Sequence, residues 1–394
     1  MQELLPILTS LAWPFAIAIA WIAGEFGQRW TGLPRISFYG VVGFAFAAPQ
    51  LGILPAPGSG SDGGAIPILA DVAFGLILFE LGYRINLRWL RTNPWIGISG
   101  LVESLATFIA VYLIAAAFGT PQLTALMLAS LSMATSPATV VRVINEQRSS
   151  GQVTERVLHL TAQNCVLAVF AFNVVVGFWI FRTFEDLGDA IWNSLVLLAV
   201  SLLAGAIFGL AVPALLRGLK NPQQDATVAF ALAVILLVAI SYAAGLSPVV
   251  STLAFGLVAR HRRVAYSQAQ RGFGALGELL TVLLFVFAAS TLDWQKVAAG
   301  SALAAVIVLA RLVTKTGGVV AFAHLSGISW RKGALAGVAL APLSVFVILL
   351  LEHARLARAL AETLPVFTLP GDADTPDAVF PNSVFATTKD RLIL

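Results

Sequence analysis

The chain has 394 residues, of which 58% are hydrophobic and 11% charged, where a soluble domain carries roughly 25% charged residues; no soluble fold hides that much apolar surface. Its one cysteine, Cys165, excludes a disulfide framework and a cysteine-rich metal centre. The net charge of +4 does not point to a nucleic-acid partner, because no polar segment is long enough to form a basic groove.

A bilayer core of about 30 Å takes about 20 apolar residues per helical crossing. Apolar runs of that kind fall at 4–24, 33–50, 66–84, 94–118, 121–145, 154–181, 190–216, 225–244, 246–260, 275–291, 297–322 and 333–351. Lipid offers no partner to unpaired backbone groups, and these runs exceed the length of barrel strands, so they are predicted to be helices. The expected fold is an all-α integral membrane protein, a polytopic bundle of about twelve transmembrane helices. The first run begins directly after Met1 without a basic leader or a small-residue cleavage site, and is read as a retained helix.

Taken in chain order, the third run carries Asp71 and Glu80, and the fourth carries Glu103. Glu103 lies near mid-depth, with Ser99 and Thr107 one turn away on the same face. The fifth run contains Thr135, Ser136, Pro137 and Ala138, and the twelfth contains Ala341, Pro342, Leu343 and Ser344. A lone Pro kinks many membrane helices. As an antiparallel pair the two favour interrupted helices that cross at the midplane, where half-helix ends and free carbonyls hold ions. The sixth run offers His159, Thr161, Gln163, Asn164 and Cys165, a polar set that can also serve only to join neighbouring helices. The eleventh carries Arg311 and Lys315 one turn apart in an apolar stretch, which marks them as functional candidates. Lys315 lies nearer the end of its run and can snorkel; Arg311 is harder to explain structurally. Glu103 is the best-placed counter-charge, since Glu80 and Glu278 lie nearer the interface.

Sixteen Lys and Arg, among them Arg29, Arg84, Arg142, Arg217, Arg260 and Arg331, crowd one set of alternate loops; the opposite set, before the tail, holds Arg182 and Lys296. The positive-inside rule then places the N-terminus outside, and twelve crossings place the tail outside too. Residues 352–367 mix Arg355, Arg358 and Glu362 with Leu and Ala at helical spacing, which suits a helix on the membrane surface. Residues 369–394 show no periodicity and are expected to lack regular structure.

Several stretches resemble bacterial sodium/proton and potassium/proton antiporters of the monovalent cation/proton antiporter superfamily. They are DVAFGLILFELGYRINLRWLR from Asp71 to Arg91, ATSPATVVRVINE at 134–146, Leu246-Ser247-Pro248 leading into AFGLVAR, GELLTVLLFVFAASTLD at 277–293 and RLVTKTGG at 311–318. The likeness runs in order from residue 1 to about 350. It implies an elevator-type antiporter with inverted repeats, and two broken helices crossing beside an ion-binding aspartate. Core helices would span about 66–181 and 275–351, with the remainder of 1–351 a dimerisation scaffold and 352–394 an appended segment. Carried over by position, Thr135, Ser136 and Pro137 mark the first crossover, Pro342 to Ser344 the second, and Lys315 the lysine of the core. A homodimer in a bacterial cytoplasmic membrane, exchanging H⁺ for Na⁺ or K⁺ without a cofactor or resident metal, is the corresponding expectation.

The chain departs from that pattern where the family places Asp-Asp or Asn-Asp: it has Asn164 and Cys165. A soft thiolate is a poor ligand for hard Na⁺. Arg84 and Asn86 replace family acidic residues, and no run matches the family's last helix. These departures leave three readings: a carboxylate relocated to Glu103, with Arg311 or Lys315 as the competing cation and Thr135, Asn164 and Cys165 lining the site; a changed substrate or passive cation pathway; or a membrane binding or sensing module that no longer transports. No nucleophile and base pair, phosphate loop or metal-ligand spacing marks an enzyme.

Overall fold

The computed structural model describes residues 4–55, 65–179, 187–218, 222–261, 266–344, 347, 386–388 and 391–393. These hold fourteen helices: α1 Leu4–Thr31, α2 Arg35–Phe46, α3 Ala65–Arg84, α4 Leu87–Thr92, α5 Pro94–Ala117, α6 Gln122–Ser132, α7 Pro137–Glu146, α8 Gln152–Trp179, α9 Leu187–Arg217, α10 Pro222–Ala243, α11 Pro248–Arg260, α12 Tyr266–Ser290, α13 Trp294–Ala321 and α14 Trp330–Ala339. Among the described residues the first eleven apolar runs lie mostly on helix and the twelfth does so as far as Ala339, and seven described segments are long and apolar enough to cross a bilayer by length and composition. The surface segment expected at 352–367 lies outside the described residues. Within the tail, Ala386–Thr388 and Arg391–Ile393 pair as two short antiparallel strands, a departure from the expected lack of regular structure.

Among the described residues, helix breaks off in two runs where their prolines predict it. The fifth run divides into α6 and α7: Pro137 lacks the N–H that would continue the helix and instead opens α7, while the Ser136 side chain accepts from Thr139 N–H as its N-cap. α14 ends at Ala339, shortly before Pro342. The short helix α4 was not evident as an element of its own; Asn86 caps it through its side chain, and it links α3 to α5.

Packing falls into two clusters. The larger joins α3, α5, α7, α8, α10 and α11 through residues such as Phe79, Leu160, Phe230 and Phe255. Within it α3 and α11 approach backbone to backbone, since Gly82 abuts the Leu253 backbone and Gly256 abuts that of Phe79. The smaller cluster joins α1, α2 and α12 through Ala16, Ala20, Tyr39 and Val286. α13 packs against both α5 and α14. Its outward face carries exposed Val308, Leu309 and Val313, while Arg311 and Lys315 point inward and are buried. Charge inside and apolar side chains outside is the polarity of a protein whose solvent is lipid.

Candidate functional site

The interruption between α6 and α7 meets the end of α14 at a crossing. The Ser136 N–H donates to the Pro342 carbonyl at 3.0 Å, and the Thr135 hydroxyl donates to the Leu340 carbonyl at 3.1 Å. Both bonds use groups that an unbroken helix would have kept for itself. Both α6 and α14 present their C-terminal ends here, each carrying partial negative charge on unpaired carbonyls.

Arg311 answers those carbonyls. Its guanidinium donates to Ala134 and Ala341, each at 3.1 Å, and to Ser132. One turn along α13, the Lys315 ammonium donates to the Met133 carbonyl at 2.9 Å and to Glu103 Oε2 at 3.0 Å. Lys315 and Glu103 form an ion pair in which neither side chain is exposed, both at 0%. Gly318, a further turn along α13, lies against the Glu103 backbone and Cβ, so a side chain there would push α5 and α13 apart.

The other carboxylate oxygen of Glu103 accepts from Asn164 Nδ2 at 2.6 Å, and the same amide nitrogen donates to Thr135 Oγ1 at 3.1 Å. Thr135 has committed its own proton to Leu340, so it can only accept here. Ser104 completes the amide by donating to Asn164 Oδ1 at 2.9 Å. The Cys165 thiol donates to the Thr135 carbonyl at 3.3 Å. Thr107 and Thr314 close the α5–α13 seam at 2.9 Å.

Glu103, Thr135, Ser136, Asn164, Cys165, Arg311, Lys315, Pro137 and Pro342 are thus brought together at one crossing. Ser344 follows it, with a buried hydroxyl that has no hydrogen-bond partner among the described residues. Between the two cations that sequence left open, the carboxylate goes to Lys315 and the carbonyls to Arg311. The other acidic candidates are engaged elsewhere: Glu80 with Arg84 and Asn145, Glu278 with Arg35 and Arg142, and Asp71 with Tyr242. Sequence reasoning missed Ser104, whose only signal was its place beside Glu103. It also missed the carbonyls of residues 132–134 and 340–341, which the two prolines betray only indirectly.

The arrangement holds one ionisable acid, one ammonium group and a fixed guanidinium in a buried setting. A carboxylate so placed accepts one positive partner at a time, and Lys315 occupies it here.

Comparison with known proteins agrees with this architecture. No curated protein matches the sequence. Among solved structures, the chain is similar to the sodium/proton antiporter MjNhaP1 from Methanocaldococcus jannaschii at pH 8, with a TM-score of 0.66 and 15% identity, over 91% of this chain and 99% of that one. At that identity the likeness concerns the fold. The family model for the transmembrane sodium/hydrogen exchanger matches residues 15–371, and this chain therefore belongs to the sodium/hydrogen exchanger family.

Proposed function

We propose that the protein exchanges protons for a monovalent cation, Na⁺ or K⁺, by alternating access, with Glu103 carrying each in turn. The observation behind this reading is the buried Glu103–Lys315 pair, 3.0 Å long, beside the crossing of the interrupted helices. A proton on Glu103 removes the charge that holds Lys315; a metal cation at Glu103 repels the ammonium directly. Either occupant displaces Lys315, and neither coexists with the other, which is the coupling that exchange requires. Asn164 donates one hydrogen bond to Glu103, which favours the ionised carboxylate, and Arg311 offsets the half-helix ends throughout the cycle. Cys165 takes over the backbone of the crossing at the position where the resemblance implies an aspartate, and the acid works from α5 instead.

The reading extends to a moving core built from residues 66–181 and 275–351, a scaffold that joins two copies as a homodimer, and an N-terminus outside a bacterial cytoplasmic membrane. A second reading, a relative that no longer transports, is favoured by the thiol at Cys165. Collapse of an imposed pH gradient in vesicles carrying the purified protein, on adding Na⁺, K⁺ or Li⁺, separates the two. Exchange through Glu103 predicts a cation response in the parent that falls to the level of empty vesicles in Glu103→Gln. A silent parent that gains a response in Cys165→Asp would establish the inactive relative.

A further inference from the structure

At the end of the bundle where α7 terminates, a polar cluster ties α7 and α12 to α1 and α2. Glu278 of α12 lies between two guanidinium groups, Arg142 of α7 at 3.0 Å and Arg35 of α2 at 3.1 Å. Arg35 also reaches Glu25 at 3.1 Å and donates from Nε to Gln28 at 2.6 Å, both residues on α1. Gln28 in turn donates to Glu146, the last residue of α7, at 3.5 Å. The apolar side of α7 packs on α3 and α8, so these polar groups are what fasten it to α1, α2 and α12.

The other end of α7 is the site. Its N-cap Ser136 is hydrogen-bonded across the crossing, and ten residues of helix, about 15 Å, connect the two ends as a rigid lever. The cluster is also incompletely satisfied. Arg142 Nε and Glu146 Oε1 stand 3.7 Å apart, too far for a hydrogen bond, and neither atom has another partner among the described residues. The buried Tyr39 hydroxyl of α2 has none either. A partly buried network with unfilled positions holds less firmly than a complete one, which suits a contact that must part and re-form.

We propose that this cluster is a latch that seals the Glu103 site from the α7 end of the bundle. With the ion pairs made, α7 is held against α1, α2 and α12, which already pack together through Val286, and the site is closed to water. When they part, α7 swings from its outer end and the crossing opens. The latch rests on the alternating-access reading, since only a site that opens needs one, but it is tested without measuring transport.

Cys165 is the sole cysteine of the chain, is fully buried and bonds to Thr135 at the crossing. Its rate of reaction with N-ethylmaleimide, in the purified full-length protein in detergent, therefore reports opening directly. Glu278→Gln removes the shared carboxylate, and Gln28→Ala, a change without charge, removes the bridge to Glu146. Each is expected to raise the labelling rate by roughly two- to thirtyfold, the span of couplings carried by such networks. Lys296→Gln, which breaks the exposed 3.9 Å pair with Asp293, is expected to leave it unchanged. Equal labelling of the parent, Glu278→Gln and Gln28→Ala overturns the latch. A parent that labels as expected yet collapses no pH gradient overturns the exchange reading and leaves the latch standing.

Discussion

A carboxylate and an ammonium group held 3.0 Å apart with no exposure stabilise the fold less than their attraction suggests, because each gave up its hydration to be there. The informative quantity is the cost of separating them. Lys315→Met leaves a bare carboxylate in the interior, which costs about 3–5 kcal/mol, and the melting temperature in detergent is expected to fall accordingly. Adding Glu103→Gln removes the orphaned charge, and the double variant is expected to regain most of that loss; a double variant as unstable as the single one would contradict the pair. Glu103 was legible in sequence because a lone acid in a long apolar run, with Ser99 and Thr107 on its face, has few structural excuses. Its partner was not, because Arg311 and Lys315 stand one turn apart and share a face. Only the position of the α6 and α14 ends decides which cation meets carbonyls and which meets the acid.

At the scale of elements, the site depends on how closely helices without side-chain spacers approach. α13 carries two adjacent glycines with opposite surroundings: a Cβ on Gly318 would collide with Glu103, whereas one on Gly317 meets nothing within 4 Å. Gly318→Ala is expected to destabilise the protein by about 1–3 kcal/mol through overpacking and to slow exchange by moving the acid away from Lys315. Gly317→Ala is expected to be neutral or stabilising by up to about 1 kcal/mol, since Ala favours helix over Gly. Thermal melting and vesicle exchange of the two variants, side by side, read this directly; equal effects would mean that the α5–α13 contact does not set the site. The glycine pair was visible in the RLVTKTGG stretch, but periodicity could not say which of them faces α5. The helix breaks were easier to see, because Pro137 and Pro342 forbid a continuous hydrogen-bond ladder whatever surrounds them. α4 was harder, since six residues between two long apolar runs leave no periodic signal.

For the molecule as a whole, the sequence carries its orientation in the loops and its chemistry in the exceptions to apolarity. Among the described residues the first eleven apolar runs lie mostly on helix, and the twelfth does so as far as Ala339, because hydropathy over some 20 residues outweighs local propensity in lipid. The balance of sixteen basic residues against Arg182 and Lys296 in alternate loops depends on every one of those runs crossing, since a single miscounted helix would exchange the two sets downstream. That dependence makes orientation a test of the whole topology. In a Cys165→Ser background, Gln122→Cys at the exposed start of α6 and Ser150→Cys in the exposed turn before α8 flank one interrupted span. The positive-inside rule puts the first outside and the second, beside Arg148 and Arg156, in the cytoplasm. A membrane-impermeant maleimide added to intact cells is therefore expected to label Gln122→Cys and to reach Ser150→Cys only after lysis. Labelling of both before lysis would mean that α6 and α7 together do not span the membrane. The reverse pattern would invert the protein and put the α7 latch on the outer face.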